Sequence, residues 1–190
     1  MMQSDSELIE RIRKGNKRLF ALLVDRYKDR AMTLAVRMLR SREDAEEAAQ
    51  DAFIRAYNAL DKFEGSSRFG TWLYRIVYNV CLTRLAKRKE EFVSIDDEDN
   101  KDLRLPELYG SSQLEYESTE TIAIIKKAIE TLPLKYRTVL SLFYLQELSH
   151  EEICEVTQLP LGTVKTHLFR ARSLLYDLLT KQFEMEKIPV

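Results

Sequence analysis

Two stretches of the sequence hold lysine and arginine side chains with no acidic residue among them. They are Phe69–Lys89, with five cations, and Leu161–Tyr176, with three. Cations without local counter-charges favour contact with phosphate, and neighbouring side chains can then read base edges. The formal net charge of the whole chain is −1, so the positive charge is local. The sequence therefore indicates nucleic-acid contact by particular segments.

The second stretch predicts a helix with one buried and one DNA-facing side. Val164, Leu168, Ala171 and Leu175 recur at spacings of four, three and four, which places them on a single face. A different face collects side chains suited to duplex DNA: Lys165, Thr166, Phe169 and Arg170. These supply cations for phosphates or guanine edges, a hydroxyl, and an apolar group for a thymine methyl. The alternative is a solvated charged face on an ordinary bundle helix.

A short capped helix is predicted just before this one. Ser149-His150-Glu151-Glu152 has the form of a capping box, and the break around Thr157–Pro160 ends the helix. The following helix is predicted from about Gly162 to Phe183. A short helix, a tight break and a longer basic helix predict a helix-turn-helix.

The segment Phe63–Ile76, which overlaps the start of the first basic stretch, interleaves aromatic rings with arginine. Trp72 and Ile76 have core spacing, and we assign them to packing. Phe63 and the polar loop that follows it, with Ser66 and Ser67, are better placed to form a pocket for an extruded base.

The rest of the chain, outside one acidic segment, has the apolar periodicity of helices. About four amphipathic helices are predicted in residues 1–91, one of them capped by Ser41. Residues 92–118 carry 2 Lys and Arg against 8 Asp and Glu and little periodicity, which predicts a flexible acidic linker. Helical periodicity resumes over residues 119–190. We therefore expect an all-α protein with two small helical domains, 1–91 and 119–190, of which the second contains the helix-turn-helix.

Composition sets the broader limits. The 190 residues are 45% hydrophobic and 32% charged, as in a soluble globular protein, and only five are glycine. No apolar run reaches the roughly 18 residues of a membrane span, and the first residues lack a signal-peptide layout. We expect a cytoplasmic protein without membrane insertion, in which Cys81 and Cys154 are reduced.

Three motifs together resemble those of bacterial RNA polymerase sigma factors of the extracytoplasmic-function (ECF) group. They are Gln50–Tyr57, Phe69–Asn79 and Leu159–Arg172. The resemblance implies a factor that binds core RNA polymerase and directs promoter-specific initiation, in a stress or envelope response. It implies partners in the polymerase's largest-subunit coiled-coil and flap, in promoter DNA and in an anti-sigma factor. It also implies no catalytic residues, no cofactor and no metal, since polymerase carries out the chemistry.

The resemblance assigns roles residue by residue. The residues it places at the minus-35 element are Lys165, Thr166, Phe169 and Arg170. Those it places at the minus-10 element, where one base is flipped, are Phe63, Ser66, Ser67 and Asn79, with Lys87 and Arg88 as nearby cations. Asp51 and Glu47 match the surface that docks on the polymerase coiled-coil.

Some positions depart from the family pattern. Gln158 stands where glycine is common in the turn, so a positive φ or another turn type is expected. His167 replaces a common arginine, which implies a weaker and pH-dependent contact, and Thr83 replaces a common aspartate.

Two other functions fit parts of the sequence. A dimeric helix-turn-helix regulator would bind duplex operators without polymerase, but it would need a receiver or ligand domain where residues 1–91 read as helical. A metal enzyme could use His150 and Cys154, four residues apart, with the acidic run Asp96–Asp99. We favour capping and packing roles for these residues, because no phosphate loop or paired-histidine zinc motif accompanies them.

Overall fold

The computed structural model describes residues 3–93 and 120–186, and within these ranges the chain is all-α, as predicted. The helices are α1 (Asp5–Arg13), α2 (Phe20–Leu39), α3 (Arg42–Asn58), α4 (Phe69–Val93), α5 (Glu120–Thr131), α6 (Leu134–Leu140), α7 (His150–Thr157) and α8 (Leu161–Glu186). Short 3-10 turns at Lys17–Leu19 and Leu60–Lys62 precede α2 and the loop before α4. A π-helical turn, Ser141–Leu145, continues α6.

Helices α1 to α4 form the first domain around one apolar core. The face of α3 that meets α2 and α4 consists of small side chains, all fully buried: Ala45, Ala48, Ala52 and Ala56. Small residues let helix backbones approach closely, so α3 fits between its longer neighbours.

The helix starts follow the predicted chemistry. The Ser41 side chain accepts a hydrogen bond from the Asp44 amide at 3.1 Å, which satisfies a free donor at the start of α3. Helix α4 begins at Phe69, and Gly70 lies in its first turn. A Cβ atom on Gly70 would lie 2.9 Å from Cε1 of Tyr27, so only glycine allows this approach of α4 to α2.

Helices α5 to α8 form the second domain. Its core joins the π-helical turn after α6 with α7 and α8 through Leu142, Ile153 and Leu168, each at most 2% exposed. Within the described ranges the two domains also pack on each other, through contacts of α2 with α6 and of α4 with α7. The predicted acidic linker, residues 92–118, lies outside the described residues from position 94 onward.

Arginines fasten the two domains together. Arg137 of α6 is 3% exposed and donates to the carbonyls of Arg37 and Met38 at the end of α2, the latter at 3.0 Å. In the opposite direction, Arg40 donates to the carbonyl of Glu130 at the end of α5. A helix C-terminus exposes carbonyls with partial negative charge, so both cations occupy favourable positions.

Both cysteines are free. Cys81 is fully buried in the first domain, and burial raises the pKa of its thiol to about 12. Cys154 is half-buried on α7, and burial also raises its thiol pKa. A raised thiol pKa suppresses the reactive thiolate, so both groups act as packing residues.

Candidate nucleic-acid interface

The helix-turn-helix consists of α7, a three-residue turn and α8. The Ser149 side chain accepts from the Glu152 amide at 3.1 Å, and the Glu152 carboxylate accepts from the Ser149 amide at 2.9 Å, which confirms the predicted capping box. Gln158 ends α7 in the left-handed conformation, with φ 58°. The turn therefore keeps the geometry usually given to glycine, at a modest conformational cost for a residue with a Cβ.

The buried face of α8 is the predicted one as far as Ala171, whereas Leu175 is half-buried and lines an apolar groove. Val164, Leu168 and Ala171 are at most 2% exposed and pack into the second domain. The face predicted to meet DNA is in solvent, since all four of its members are exposed: Lys165, Thr166, Phe169 and Arg170. The Phe169 ring is 73% exposed, more than any other large hydrophobic side chain among the described residues. An aromatic ring this exposed beside two cations favours a binding surface over a purely solvated face.

His167 lies at the edge of this face. Its ring packs edge-on against Tyr136, with ring centroids 5.6 Å apart. Burial lowers the pKa of His167 below its usual value, and the positive charges of Lys135 and Arg170 lower it further. The imidazole is thus partly engaged in packing, while its neighbours on α8 point into solvent.

The loop at residues 63–68 divides into a buried anchor and an exposed tip. Phe63 is 8% exposed, and its ring packs on the rings of Phe69 and Trp72, with centroid distances of 5.9 and 5.1 Å. Gly65 adopts a φ of 75°, and Ser66 beside it is exposed. In this arrangement Phe63 fixes the base of the loop, and the polar tip is the part open to a ligand.

The remaining residues predicted to contact the minus-10 element lie on α4. Asn79, Lys87 and Arg88 are all exposed, which places them within reach of a ligand. Arg88 forms a 3.5 Å ion pair with Asp44 at the start of α3. The three side chains therefore extend along one helix away from the loop.

The predicted docking residues lie on α3. Asp51 pairs with Arg55 one turn later at 3.0 Å, and Glu47 pairs with Arg84 of α4 at 2.9 Å. The side chain of Ile54 beside them is 61% exposed. An apolar side chain flanked by ion pairs is typical of the centre of a protein-binding surface.

Helix α7 covers the beginning of α4. One oxygen of the Glu152 carboxylate, Oε1, accepts from the Thr71 hydroxyl at 3.0 Å and lies 3.4 Å from the Arg68 guanidinium. The Glu152 side chain is 15% exposed. The first helix of the helix-turn-helix is therefore in contact with the loop and helix predicted to bind the minus-10 element. Sequence reasoning missed this contact, because the capping box already explains a glutamate at position 152.

A second apolar surface lies along the C-terminal half of α8. Its groove is lined by Ile129, Leu140, Tyr144, Leu175, Tyr176 and Leu179. Tyr144 and Tyr176 are 55% and 70% exposed. Arg172 lies two helical turns after Lys165, and its guanidinium lies over the rings of Phe143 and Tyr144, at 5.4 and 5.5 Å from their centroids, so it is engaged at this groove.

The metal-enzyme alternative gains no support from the described residues. No three His, Cys, Asp or Glu side chains come together there in a way that could hold a metal ion. The His150 ring packs on Phe143, with centroids 5.3 Å apart. The acidic run Asp96–Asp99 lies outside the described residues. Among the helices of residues 3–93 and 120–186, none combines the length and apolarity of a membrane span.

Comparison with known proteins agrees with this geometry. Residues 23–91 match the family Sigma-70 region 2, and residues 122–175 match Sigma-70, region 4. The chain is 37% identical to the RNA polymerase sigma-H factor of Pseudomonas aeruginosa, over 91% of this chain and 92% of that protein. It is 38% identical to the ECF RNA polymerase sigma factor SigW of Bacillus subtilis, over 88% and 92% of the two chains.

Solved structures of sigma factors have a similar fold. The sigma factor RpoE of Bartonella quintana, determined in complex with the anti-sigma factor NepR, has a TM-score of 0.67 and is 25% identical, covering 85% of this chain and 96% of that one. CnrH, determined in complex with the cytosolic domain of CnrY, has a TM-score of 0.66 at 24% identity, over 94% of this chain and 99% of that one.

Two regions matched in order and relatives matched over nearly their full length define the class. The chain belongs to the ECF group of sigma factors, which bind core RNA polymerase and direct promoter-specific transcription initiation. The rival function, a dimeric operator-binding regulator, is therefore set aside.

Proposed function

We propose that the exposed face of α8 reads the minus-35 promoter element as duplex DNA. The observation that carries this proposal is the Phe169 ring, 73% exposed between the exposed side chains of Lys165 and Arg170. Cations can contact phosphates or guanine edges, and the ring offers an apolar surface to a thymine methyl. The Thr166 hydroxyl donates to the Gly162 carbonyl at 2.8 Å, so its methyl group and oxygen lone pair remain for DNA.

The loop at residues 63–68 and the outer face of α4 bind the minus-10 element after it opens. Ser66 and Ser67 at the loop tip are polar, and the buried Phe63 ring keeps the loop base fixed. A preformed pocket lowers the cost of holding an extruded base. Asn79 lies on the same helix, and Lys87 supplies charge farther along the strand.

Two other exposed surfaces are suited to binding the polymerase. The α3 surface around Glu47, Asp51 and exposed Ile54 suits the coiled-coil of the largest subunit. The apolar groove with Tyr144 and Tyr176 suits an apolar segment of the flap. The chain supplies recognition and the polymerase supplies catalysis, so the protein itself is not an enzyme and works where polymerase works, in the cytoplasm.

An anti-sigma factor completes the proposed set of partners. Support comes from the solved relative RpoE, whose structure contains the anti-sigma factor NepR. ECF relatives at 36–38% identity favour a role in a stress or envelope response.

The packing of α7 on α4 has a functional meaning in this proposal. Glu152 contacts Thr71 and Arg68 beside the loop at residues 63–68, which we call the minus-10 loop. A negative charge therefore lies where a strand of DNA would pass. Promoter binding therefore requires the two domains to separate.

The test is transcription and binding with reconstituted holoenzyme. Core polymerase with the chain should initiate at mapped 5′ ends that share a minus-35 and a minus-10 motif, and core alone should not.

Opening the minus-10 base pairs in the probe should strengthen binding, because unpairing costs a few kcal/mol. Asn79→Ala should reduce this gain. Lys87→Ala should weaken paired and open probes equally, reducing the salt slope by about 1. Initiation at scattered sites, or equal binding of both probes by wild type, would refute the proposal.

A further inference from the structure

Helix α1 lies outside the part of the chain that matches Sigma-70 region 2, which begins at residue 23. It is nevertheless firmly held in the first domain. Leu8, Ile9 and Ile12 are at most 5% exposed, and a capping box formed by Ser4 and Glu7 starts the helix. A helix fixed in this way can serve as a rigid support for whatever its ends contact.

The C-terminal end of α1 contacts the chain that leads into the minus-10 loop. Arg13, its last residue, donates from Nη2 to the carbonyl of Leu60 at 2.7 Å and to the carbonyl of Phe63. The Asp61 carbonyl lies 3.4 Å from the same nitrogen. These carbonyls belong to the 3-10 turn and its cap, 47 to 50 residues away in sequence.

The N-terminal end of α1 reaches the other side of the loop. Asp5 accepts from the Tyr27 hydroxyl, and the Tyr27 ring contacts the Phe69 ring edge-on at 5.4 Å. The same ring lies against Gly70. The residues before the loop therefore contact Arg13, at one end of α1. The residues after the loop contact Tyr27, which is bound to Asp5 at the other end of α1.

The two attachments differ in what they fix. Phe69 and Gly70 already belong to α4 and are constrained by helical hydrogen bonds. Phe63 is extended, with φ −74° and ψ 106°, and its amide donates to the Leu60 carbonyl at 3.1 Å. Its ring packs on Phe69, and its own carbonyl accepts from Arg13. The orientation of the exposed residues that follow therefore depends on Arg13.

We propose that Arg13 is a positioning residue for base recognition at the minus-10 element. This inference rests on the proposed function of the loop. Arg13 acts through the backbone of Leu60 and Phe63 and holds the loop in the shape that accepts one base in preference to others. Hydrogen bonds from a charged donor are stronger than those from a neutral donor. A guanidinium that binds several carbonyls is therefore suited to fixing a loop without regular structure.

The test compares base preference with binding strength. Holoenzymes carrying wild-type chain, Arg13→Gln, Arg13→Lys or Arg11→Gln bind a probe library whose minus-10 hexamer is randomised and held open in a bubble, and bound DNA is sequenced. A second library randomises the minus-35 hexamer in duplex. Arg11→Gln is the matched control, because it removes the same charge from the same helix without touching the loop.

Arg13→Gln should reduce the enrichment of the preferred base at one or two minus-10 positions by about tenfold, with Arg13→Lys intermediate and Arg11→Gln unchanged. Preference at the minus-35 hexamer should stay the same. General destabilisation would lower the bound fraction for all sequences and leave the base preference intact. Unaltered minus-10 preference in Arg13→Gln would overturn the assignment. Absence of any preference in wild type would overturn the proposed loop function and this inference with it.

Discussion

Arg40 and Arg137 cross the boundary between the two domains in opposite directions and meet at one carbonyl. Arg137 donates to the Leu132 carbonyl at 3.0 Å, and Arg40 approaches the same oxygen at 3.3 Å. Each also caps the C-terminus of a helix in the other domain, α2 for Arg137 and α5 for Arg40. Two like charges are tolerated there because helix-terminal carbonyls and Glu130, which pairs with Arg37 at 2.9 Å, surround them.

Arg137→Met should loosen the contact between the domains. The substitution keeps an apolar stem but leaves buried carbonyls without donors, at a cost of about 1–3 kcal/mol. Amide hydrogen exchange at the end of α2 and in α6 should accelerate. Arg37→Met is the comparison variant, because the Glu130 partner that it loses is half-exposed and such pairs contribute about 0–1 kcal/mol. If both variants exchange at the wild-type rate, the arginines do not hold the domains together.

Lys165→Ala and Arg170→Ala should each weaken minus-35 recognition. A base-edge contact is worth about 1–3 kcal/mol, and a phosphate contact reduces the salt slope by about 1. Binding of holoenzyme to duplex promoter, measured over a range of salt, separates the two roles. Arg172→Ala is the matched control on the same helix, since its guanidinium lies over Phe143 and Tyr144. Equal losses in all three variants would show that only general charge matters.

His167 should make the second domain less stable as the solution becomes acidic. Burial, then Lys135 and Arg170, lower its pKa in the folded state below the unfolded value of 6.5. The folded state thus disfavours the proton, so the stabilisation is complete above about pH 6.5 and is lost as pH falls through the folded pKa. His167→Phe keeps a ring against Tyr136 without titrating. Its melting temperature should fall less than that of wild type between pH 7 and pH 5. Parallel curves would exclude His167 as the source.

Local pattern was enough to predict much of the fold. Ser41 and Ser149 cap helices because a serine oxygen satisfies an amide two or three residues later, an interaction contained in a few residues of sequence. The buried face of Val164, Leu168 and Ala171 follows from helical periodicity alone.

The contacts that sequence reasoning missed join distant parts of the chain. Arg13 and Leu60 are 47 residues apart, and Arg137 and Met38 are 99 apart. Their acceptors are backbone carbonyls, which carry no residue-type signal. Phe63 was expected to help form a pocket in a polar loop, and its ring is buried because Phe69 and Trp72 fold back over it. Neither periodicity nor composition specifies such a contact.

Glu152 serves two helices with one carboxylate. Oxygen Oε2 accepts from the amide that starts α7, and Oε1 accepts from Thr71 of α4. Glutamine could meet the first need with its single carbonyl oxygen, but it would then turn an amide NH₂ group toward the Arg68 guanidinium. Retention of glutamate at this position among related sequences would look like an ordinary helix-start signal. The second constraint, the contact that joins α7 to α4, would not be visible in such sequences. A glutamate-to-glutamine exchange would separate the two interactions.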